Sequence, residues 1–156
     1  MDEDESVVLL LGDIGVYAFR DTFARHPKRC YNLGVCEQAS VGLAAGLAMS
    51  GLYPIYHTIS AFLVRRAYEF IRLDFGEQYL AGLFVGVGGS QEYKKLGPTH
   101  CCSEHLGLMS AVPGMRCIEP SRSTSQIDDA ELLAKHFLER AVRERMLMYM
   151  NLEEPK

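Results

Sequence analysis

The sequence predicts an α/β domain, a three-layer α/β/α sandwich around a mostly parallel sheet of about six strands. Three observations lead there. Short apolar or β-branched runs alternate with longer stretches of helical spacing, the pattern of a parallel sheet covered by helices. Val7 to Leu11 is apolar without interruption, as expected of a strand buried on both faces. A length of 156 residues suits one domain, because dividing it would leave each half short of core.

The first strand stops at Gly12-Asp13-Ile14-Gly15, which sets a carboxylate in a loop at a strand's carboxyl end. Val16 to Arg25 reads as a helix that ends near His26-Pro27, since proline disfavours helix in the residue before it. Arg29 to Asn32 is a short strand, and Glu37 to Ser50 is a helix rich in Ala, Gly and Leu, stopped by Gly51. Pro54 to Thr58 returns as a strand and Ala61 to Asp74 as a helix. Ala81 to Val87 is the most strand-like run, broken by Gly88-Gly89 into a loop that lasts to about Ser103. Long loops in compact domains tend to be functional. Glu104 to Ala111 then forms a short helix, Pro113-Gly114 a turn and Met115 to Ile118 a strand. Ser125 with Asp128 offers a capping box to a helix whose apolar face includes Ile127, Ala134, Phe137 and Ala141. Met146 to Met150 closes the sheet. The chain divides into an acidic tip (1–6), one domain (7–151) and a short tail (152–156).

Composition excludes several classes of function. The net charge of −4, with no basic stripe interleaved with aromatics, argues against a nucleic-acid partner. No apolar run approaches the roughly 20 residues of a membrane span, and the acidic tip does not read as a signal peptide. The five cysteines show no CxxC spacing, which leaves a disulfide scaffold or zinc ribbon without support. A soluble protein of the reducing cytoplasm is expected. His100-Cys101-Cys102-x-x-His105 has metal-binding residue types, but adjacent cysteines converge poorly on one tetrahedral ion, so no metal site is expected there.

Gly34-Val35-Cys36-Glu37-Gln38 joins a strand to the Ala/Gly-rich helix, on the side of the sheet where ligands bind. Alone, it also fits a first-turn glutamate favoured by the helix dipole. In company it resembles something specific. Tyr31-Asn32-Leu33-Gly34-Val35-Cys36-Glu37-Gln38 is similar to the Tyr-Asn-x-Gly-Ile-x-Glu-Gln segment of transketolase-type pyrimidine-binding domains. Ala44-Ala45-Gly46-Leu47-Ala48, Gly51-Leu52-x-Pro54, Phe62 with Arg66-Ala67-x-Glu69-x-Ile71-Arg72, Gly97-Pro98-Thr99-His100 and Met109-x-x-x-Pro113-Gly114-Met115 follow in the family's order. The resemblance covers about Val7 to Asn151.

That resemblance implies a thiamine diphosphate-binding fold of the pyrimidine-binding type, with Glu37 and His100 as catalytic residues. By it, Glu37 meets N1′ of the cofactor's aminopyrimidine and shares a proton there. Burial opposes ionisation of such a carboxyl group, while the helix N-terminus favours it. Phe62 is implied to pack on the pyrimidine ring, with Ile59 and Arg65 nearby where other members often carry aromatics. His100 is implied to contact sugar substrate, and Asp13 to lie in a loop at the subunit contact beside the cofactor. Leu96 stands where many transketolases have an acidic residue that reads hydroxyl stereochemistry, which implies a different acceptor. Tyr93-Lys94-Lys95 adds cationic groups that suit a phosphate or another acidic substituent.

The family's diphosphate and Mg2+ motif, a Gly-Asp-Gly start with a later Asn, is not found, since Gly12-Asp13-Ile14-Gly15 does not match it. The resemblance therefore implies a split enzyme. A separate diphosphate-binding subunit would hold Mg2+, and thiamine diphosphate would lie between the chains of an α2β2 hetero-oligomer. The implied reaction is transfer of a two-carbon ketol unit between sugar-like substrates. The alternatives are a deoxyxylulose phosphate synthase-like subunit, a 2-oxoacid dehydrogenase β-like subunit and a non-catalytic scaffold subunit.

Overall fold

The structure, a computed structural model, describes residues 1–120 and 127–152, with 127–130 as backbone only. Six strands form one sheet: β1 (Val7–Leu11), β2 (Cys30–Asn32), β3 (Tyr53–Ile59), β4 (Gly82–Val87), β5 (Arg116–Ile118) and β6 (Leu147–Leu152). The helices are α1 (Arg20–Arg25), α2 (Glu37–Met49), α3 (Ser60–Phe70), α4 (His105–Ser110) and α5 (Ile127–Arg143). The strand order is β2-β1-β3-β4-β6-β5, and every pairing is parallel, so the sheet is more uniform than the sequence predicts.

Alternation along each strand assigns the two faces. Val8, Leu10, Tyr56, Phe84 and Tyr149 join the larger core with residues of α2, α3 and α4. Val7, Tyr53, Leu83, Val85, Met148 and Met150 pack with α5 on the opposite side, and Leu9, Leu11 and Cys30 meet Phe19 and Phe23 around α1. All five residues of β1 are buried, as its unbroken apolar run requires. The second face is less well covered: a cavity of about 960 Å³ runs between α1 and α5, with Leu9, Ile55, His57 and Val85 among its lining residues.

The differences from the expected elements are local. Regular helix in α1 begins only at Arg20, because Asp13 and Gly15 both have positive φ (62° and 73°) and the chain turns through Phe19 N–H to Gly15 C=O at 3.0 Å. The helix expected to reach Asp74 is α-helical to Phe70 and continues as a π-helical turn over Ile71–Gly76. That turn brings the Gly76 backbone against Val112 and Pro113, too close for a side chain. The long loop after β4 holds two short 3-10 turns, Lys94–Leu96 and Pro98–His100. The expected capping box includes Ser125, which lies outside the described residues, as does the tail after Leu152. Ala134, Phe137 and Ala141 do face the sheet from α5.

Connections place the functional loops. From β1 the chain steps to β2 on one side, then crosses back to β3 on the other. Loops at the carboxyl ends of strands part at such a reversal and leave a crevice there. The Gly12–Gly15 loop and the start of α2 both stand at this crevice.

Candidate active site

Glu37 is the first residue of α2, and Gly34, with φ 76°, makes the turn that delivers the chain from β2 into the helix. Although the helix N-terminus itself favours a carboxylate, Glu37 is 2% exposed, so its charge needs a partner. Arg66 supplies one from α3: Nη1 donates to both Glu37 oxygens, at 3.0 and 3.2 Å. Behind the pair, burial pushes the Tyr56 hydroxyl up to about 12, and the neighbouring Glu37 charge adds to the rise.

Phe62 lies one turn before Arg66 on α3 and is half-buried. The Arg66 guanidinium carbon sits 3.9 Å from the centroid of the Phe62 ring. From the loop after β4, His100 approaches the same ring edge to face, with centroids 4.8 Å apart. Its Nδ1 is 3.0 Å from the Thr99 hydroxyl. Glu37, Phe62 and His100, which the sequence singles out, are therefore linked by a fourth residue, Arg66, and by one aromatic ring. Arg66 appears in the sequence only as part of a motif. Its role was not legible because adjacent arginines on a helix look alike until their directions are known.

The remaining predicted residues sit around this cluster. Arg65 points away from Glu37: it donates to Glu104 at 2.9 and 2.6 Å and to the Pro98 carbonyl at 3.3 Å. It thus ties α3 to the loop that carries His100. Ile59, the last residue of β3, caps α3 with extended backbone and packs on the larger core. Asp13 is exposed and shares two hydrogen bonds with Asn32 at 3.0 Å each, which join the loop after β1 to the end of β2. Lys94, Lys95 and Leu96 are exposed on the turn that precedes Pro98–His100.

A second polar cluster was missed in the sequence. His105, 2% exposed, has Nδ1 3.0 Å from the Tyr149 hydroxyl and Nε2 3.3 Å from Glu119. Asn151 donates to Glu119 at 2.6 Å and accepts from the Ser60 hydroxyl at 2.5 Å. Both ring nitrogens of His105 are thereby engaged. Among the described residues, no group of three His, Cys, Asp or Glu side chains is placed to hold a metal ion. No helix among them is long and apolar enough to cross a membrane.

The residues around Glu37 fit the pyrimidine half of thiamine diphosphate. They combine a buried carboxylate at the start of α2 with an aromatic ring on α3, joined by Arg66. Comparison with known proteins gives the family. The transketolase pyrimidine-binding domain profile matches residues 1–151. A 6-deoxy-6-sulfo-D-fructose transketolase subunit of Clostridium is 31% identical over 85% of this chain, and an uncharacterized fasciation-locus protein of Rhodococcoides fascians is 31% identical over 82%. The chain spans about two fifths of those relatives, 39% and 41% of their lengths. Among solved structures, a split-gene transketolase described as an inactive β4 tetramer superposes with a TM-score of 0.79 at 26% identity, covering 99% of this chain and 48% of that one. A transketolase of Campylobacter jejuni shares the fold, with a TM-score of 0.75 at 18% identity over 96% of this chain and 23% of that one. By sequence profile, relatives and superposition alike, the chain belongs to the transketolase pyrimidine-binding domain family.

Proposed function

We propose that the chain is the pyrimidine-binding subunit of a split transketolase-like enzyme that uses thiamine diphosphate to transfer a two-carbon ketol unit between sugar-like substrates. One observation carries the reading: a buried carboxylate, Glu37, is joined through Arg66 to an aromatic ring, Phe62, which a loop histidine, His100, also meets. When bound, thiamine diphosphate supplies the nucleophilic carbon that carries the two-carbon unit. Glu37 would hold the ring nitrogen N1′ and share its proton. Phe62 offers a flat apolar face to a flat ring, and Ile59 and Tyr56 wall the site against water. His100, held by Thr99 and Phe62, is set to exchange hydrogen bonds with a substrate hydroxyl. Arg65 and Asp13 act at one remove, fixing the His100 loop and the loop after β1.

The diphosphate and Mg2+ fall to a separate subunit in this reading, in an α2β2 assembly. The outer face of α2 supports such a contact. It is apolar, with Leu43 47% and Met49 69% exposed, and open space faces Gly42 and Gly46. Exposed apolar helix faces of this kind are suited to burial against a partner. Lys94 and Lys95 suit a substrate with an acidic end, in keeping with the sulfo-sugar transketolase subunit among the relatives.

A second reading has its own support. Relatives also include 1-deoxy-D-xylulose-5-phosphate synthases, one from Oryza sativa 34% identical over 84% of this chain. Leu96, which lacks the acidic group expected of many transketolases, is compatible with either. The test is to purify the chain with its native partner and supply hydroxypyruvate or pyruvate as donor, each with an aldehyde acceptor. Ketol transfer from hydroxypyruvate is expected, while condensation from pyruvate alone would favour the synthase reading. Turnover by the isolated chain with thiamine diphosphate and Mg2+ would overturn the division between subunits.

A further inference from the structure

Arg66 meets two demands at once. Its guanidinium lies over Phe62, the carbon 3.9 Å from the ring centroid, and its edge donates to Glu37 at 3.0 and 3.2 Å. A guanidinium is planar, delocalised and lined with N–H donors, so it stacks on aromatic faces and pairs with carboxylates edge-on. An aminopyrimidine offers the same combination, a flat face to stack and an edge that hydrogen-bonds a carboxyl group. Phe62 and Glu37 therefore define one place for one planar group, and in this conformer Arg66 fills it.

The two partners differ in freedom. The Glu37 side chain is 2% exposed and fixed at the start of α2, whereas that of Arg66 is 42% exposed and reaches in from the open side. The guanidinium can swing into solvent on its long side chain without disturbing the core, while the carboxylate cannot follow. His100 meets Phe62 in a T-shaped contact with ring centroids 4.8 Å apart, while the Arg66 guanidinium carbon lies 3.9 Å from the centroid of the same ring.

We propose that Arg66 is a built-in stand-in for the pyrimidine ring: the conformer seen here closes the ring's place, and the ring enters as Arg66 withdraws from both Phe62 and Glu37. The proposal rests on the coenzyme reading and deepens it by naming the group that must leave. Arg66 then lowers the apparent affinity for the ring by the fraction of time it spends withdrawn. It also keeps the buried carboxylate paired whenever the ring is elsewhere, which a neutral residue could not do.

Calorimetric titration of the full chain with 4-amino-5-hydroxymethyl-2-methylpyrimidine, the free ring half of thiamine, tests this without reading activity. Arg66→Met removes the planar cation and keeps the apolar stem. Arg66→Gln keeps a neutral donor for Glu37 and guards against a variant that fails to fold, with thermal melting as the check. Both variants are expected to bind the ring more tightly than wild type, on the order of tenfold, because apparent affinity rises with the fraction of time the place is open. Added methylguanidinium should weaken ring binding by Arg66→Met, because it refills the same place. In wild-type chain labelled with ¹⁵N-arginine, saturating ring should move the Arg66 Nε–H signal toward that of solvent-exposed arginines. Equal or weaker ring binding by the variants, or an unmoved Arg66 signal, would overturn the proposal and leave the coenzyme reading standing. Ring binding by no form of the chain would sink both.

Discussion

Among the described residues, two acid–base pairs have one deeply buried member, and they are built in opposite senses. In Glu37–Arg66 the acid is 2% exposed and the cation 42%, while in Glu119–His105 the base is 3% exposed and the acid 31%. Around His105 every partner sits on a strand, a helix start or the adjoining loop. Nε2 lies 3.3 Å from Glu119 and Nδ1 3.0 Å from the Tyr149 hydroxyl, so each ring nitrogen has a polar neighbour. Burial pushes His105 below its ordinary value of 6.5, with Glu119 opposing, and pushes the Tyr149 hydroxyl up so that it remains a donor. Gly89 belongs to this brace, since a Cβ there would lie 2.5 Å from His105 Nε2. Glu37 is as deeply buried, but its partner is not. Its one strong partner is a long side chain open to solvent, and an exchangeable partner is what a binding site needs. The same residue chemistry thus makes a brace where all partners are fixed and a site where one can leave.

The largest effect should come from breaking the open pair. Glu37→Ala in the chain joined to its native partner is expected to lower turnover by about 10²–10⁴, the usual contribution of a positioned acid–base group. Melting of the complex should stay near that of wild type. Unaltered turnover would instead favour a scaffold subunit.

Breaking the closed cluster should cost stability. Asn151→Leu strands the Ser60 hydroxyl and one face of Glu119, at about 1–3 kcal/mol for each unsatisfied group. Urea denaturation should therefore show a loss of about 2–6 kcal/mol, and a loss below about 0.5 kcal/mol would show that the cluster is not a brace.

A third test sharpens the contrast through pH. His57, whose Nδ1 lies 3.0 Å from the Val85 carbonyl, is held below its ordinary value by burial, as His105 is. Both are neutral when folded and take up protons on unfolding near and below 6.5. The unfolded chain then binds more protons, so stability is complete above that pH and is lost as pH falls through the window beneath it. Melting temperature should be lower at pH 5 than at pH 7.5, and His57→Gln should shrink that difference. A melting temperature that rises on acidification would contradict the assignment.

The smallest effect belongs to Arg65. Its contact with Glu104 joins side chains 44% and 49% exposed, so Arg65→Gln should cost under about 1 kcal/mol in thermal or chemical unfolding. Because the same guanidinium holds the Pro98 carbonyl, the variant should raise KM for the sugar acceptor more than it lowers kcat. A fall in kcat comparable to that of Glu37→Ala would place Arg65 inside the site.

Much of the fold was legible because parallel strands buried on both faces leave an unbroken apolar record, as in Val7–Leu11 and Gly82–Val87. Glu37, Phe62 and His100 were singled out through ordered motifs, and the structure brings them to one neighbourhood through Arg66. Arg66 was hidden because sequence gives the neighbours of a residue along the chain and not the direction of its side chain. Arg65 and Arg66 are adjacent on α3, about 100° apart around the helix axis, and only one of them faces Glu37. The partners of His105, with Asn151 and Ser60 among the cluster, were missed for a related reason. His105, Asn151 and Ser60 come from α4, β6 and α3, and lone polar residues inside apolar runs announce a partner without saying which. The shortened α1 depended on the positive φ of Asp13, which carries no pattern signal.

A structure of the chain bound to its native partner, thiamine diphosphate and Mg2+ tests the central claim most directly. The account predicts the Glu37 carboxyl group about 2.6–3.2 Å from the pyrimidine N1′, the ring on Phe62 and Arg66 displaced from both. A carboxyl group still paired with Arg66 while the coenzyme ring lies elsewhere would contradict it.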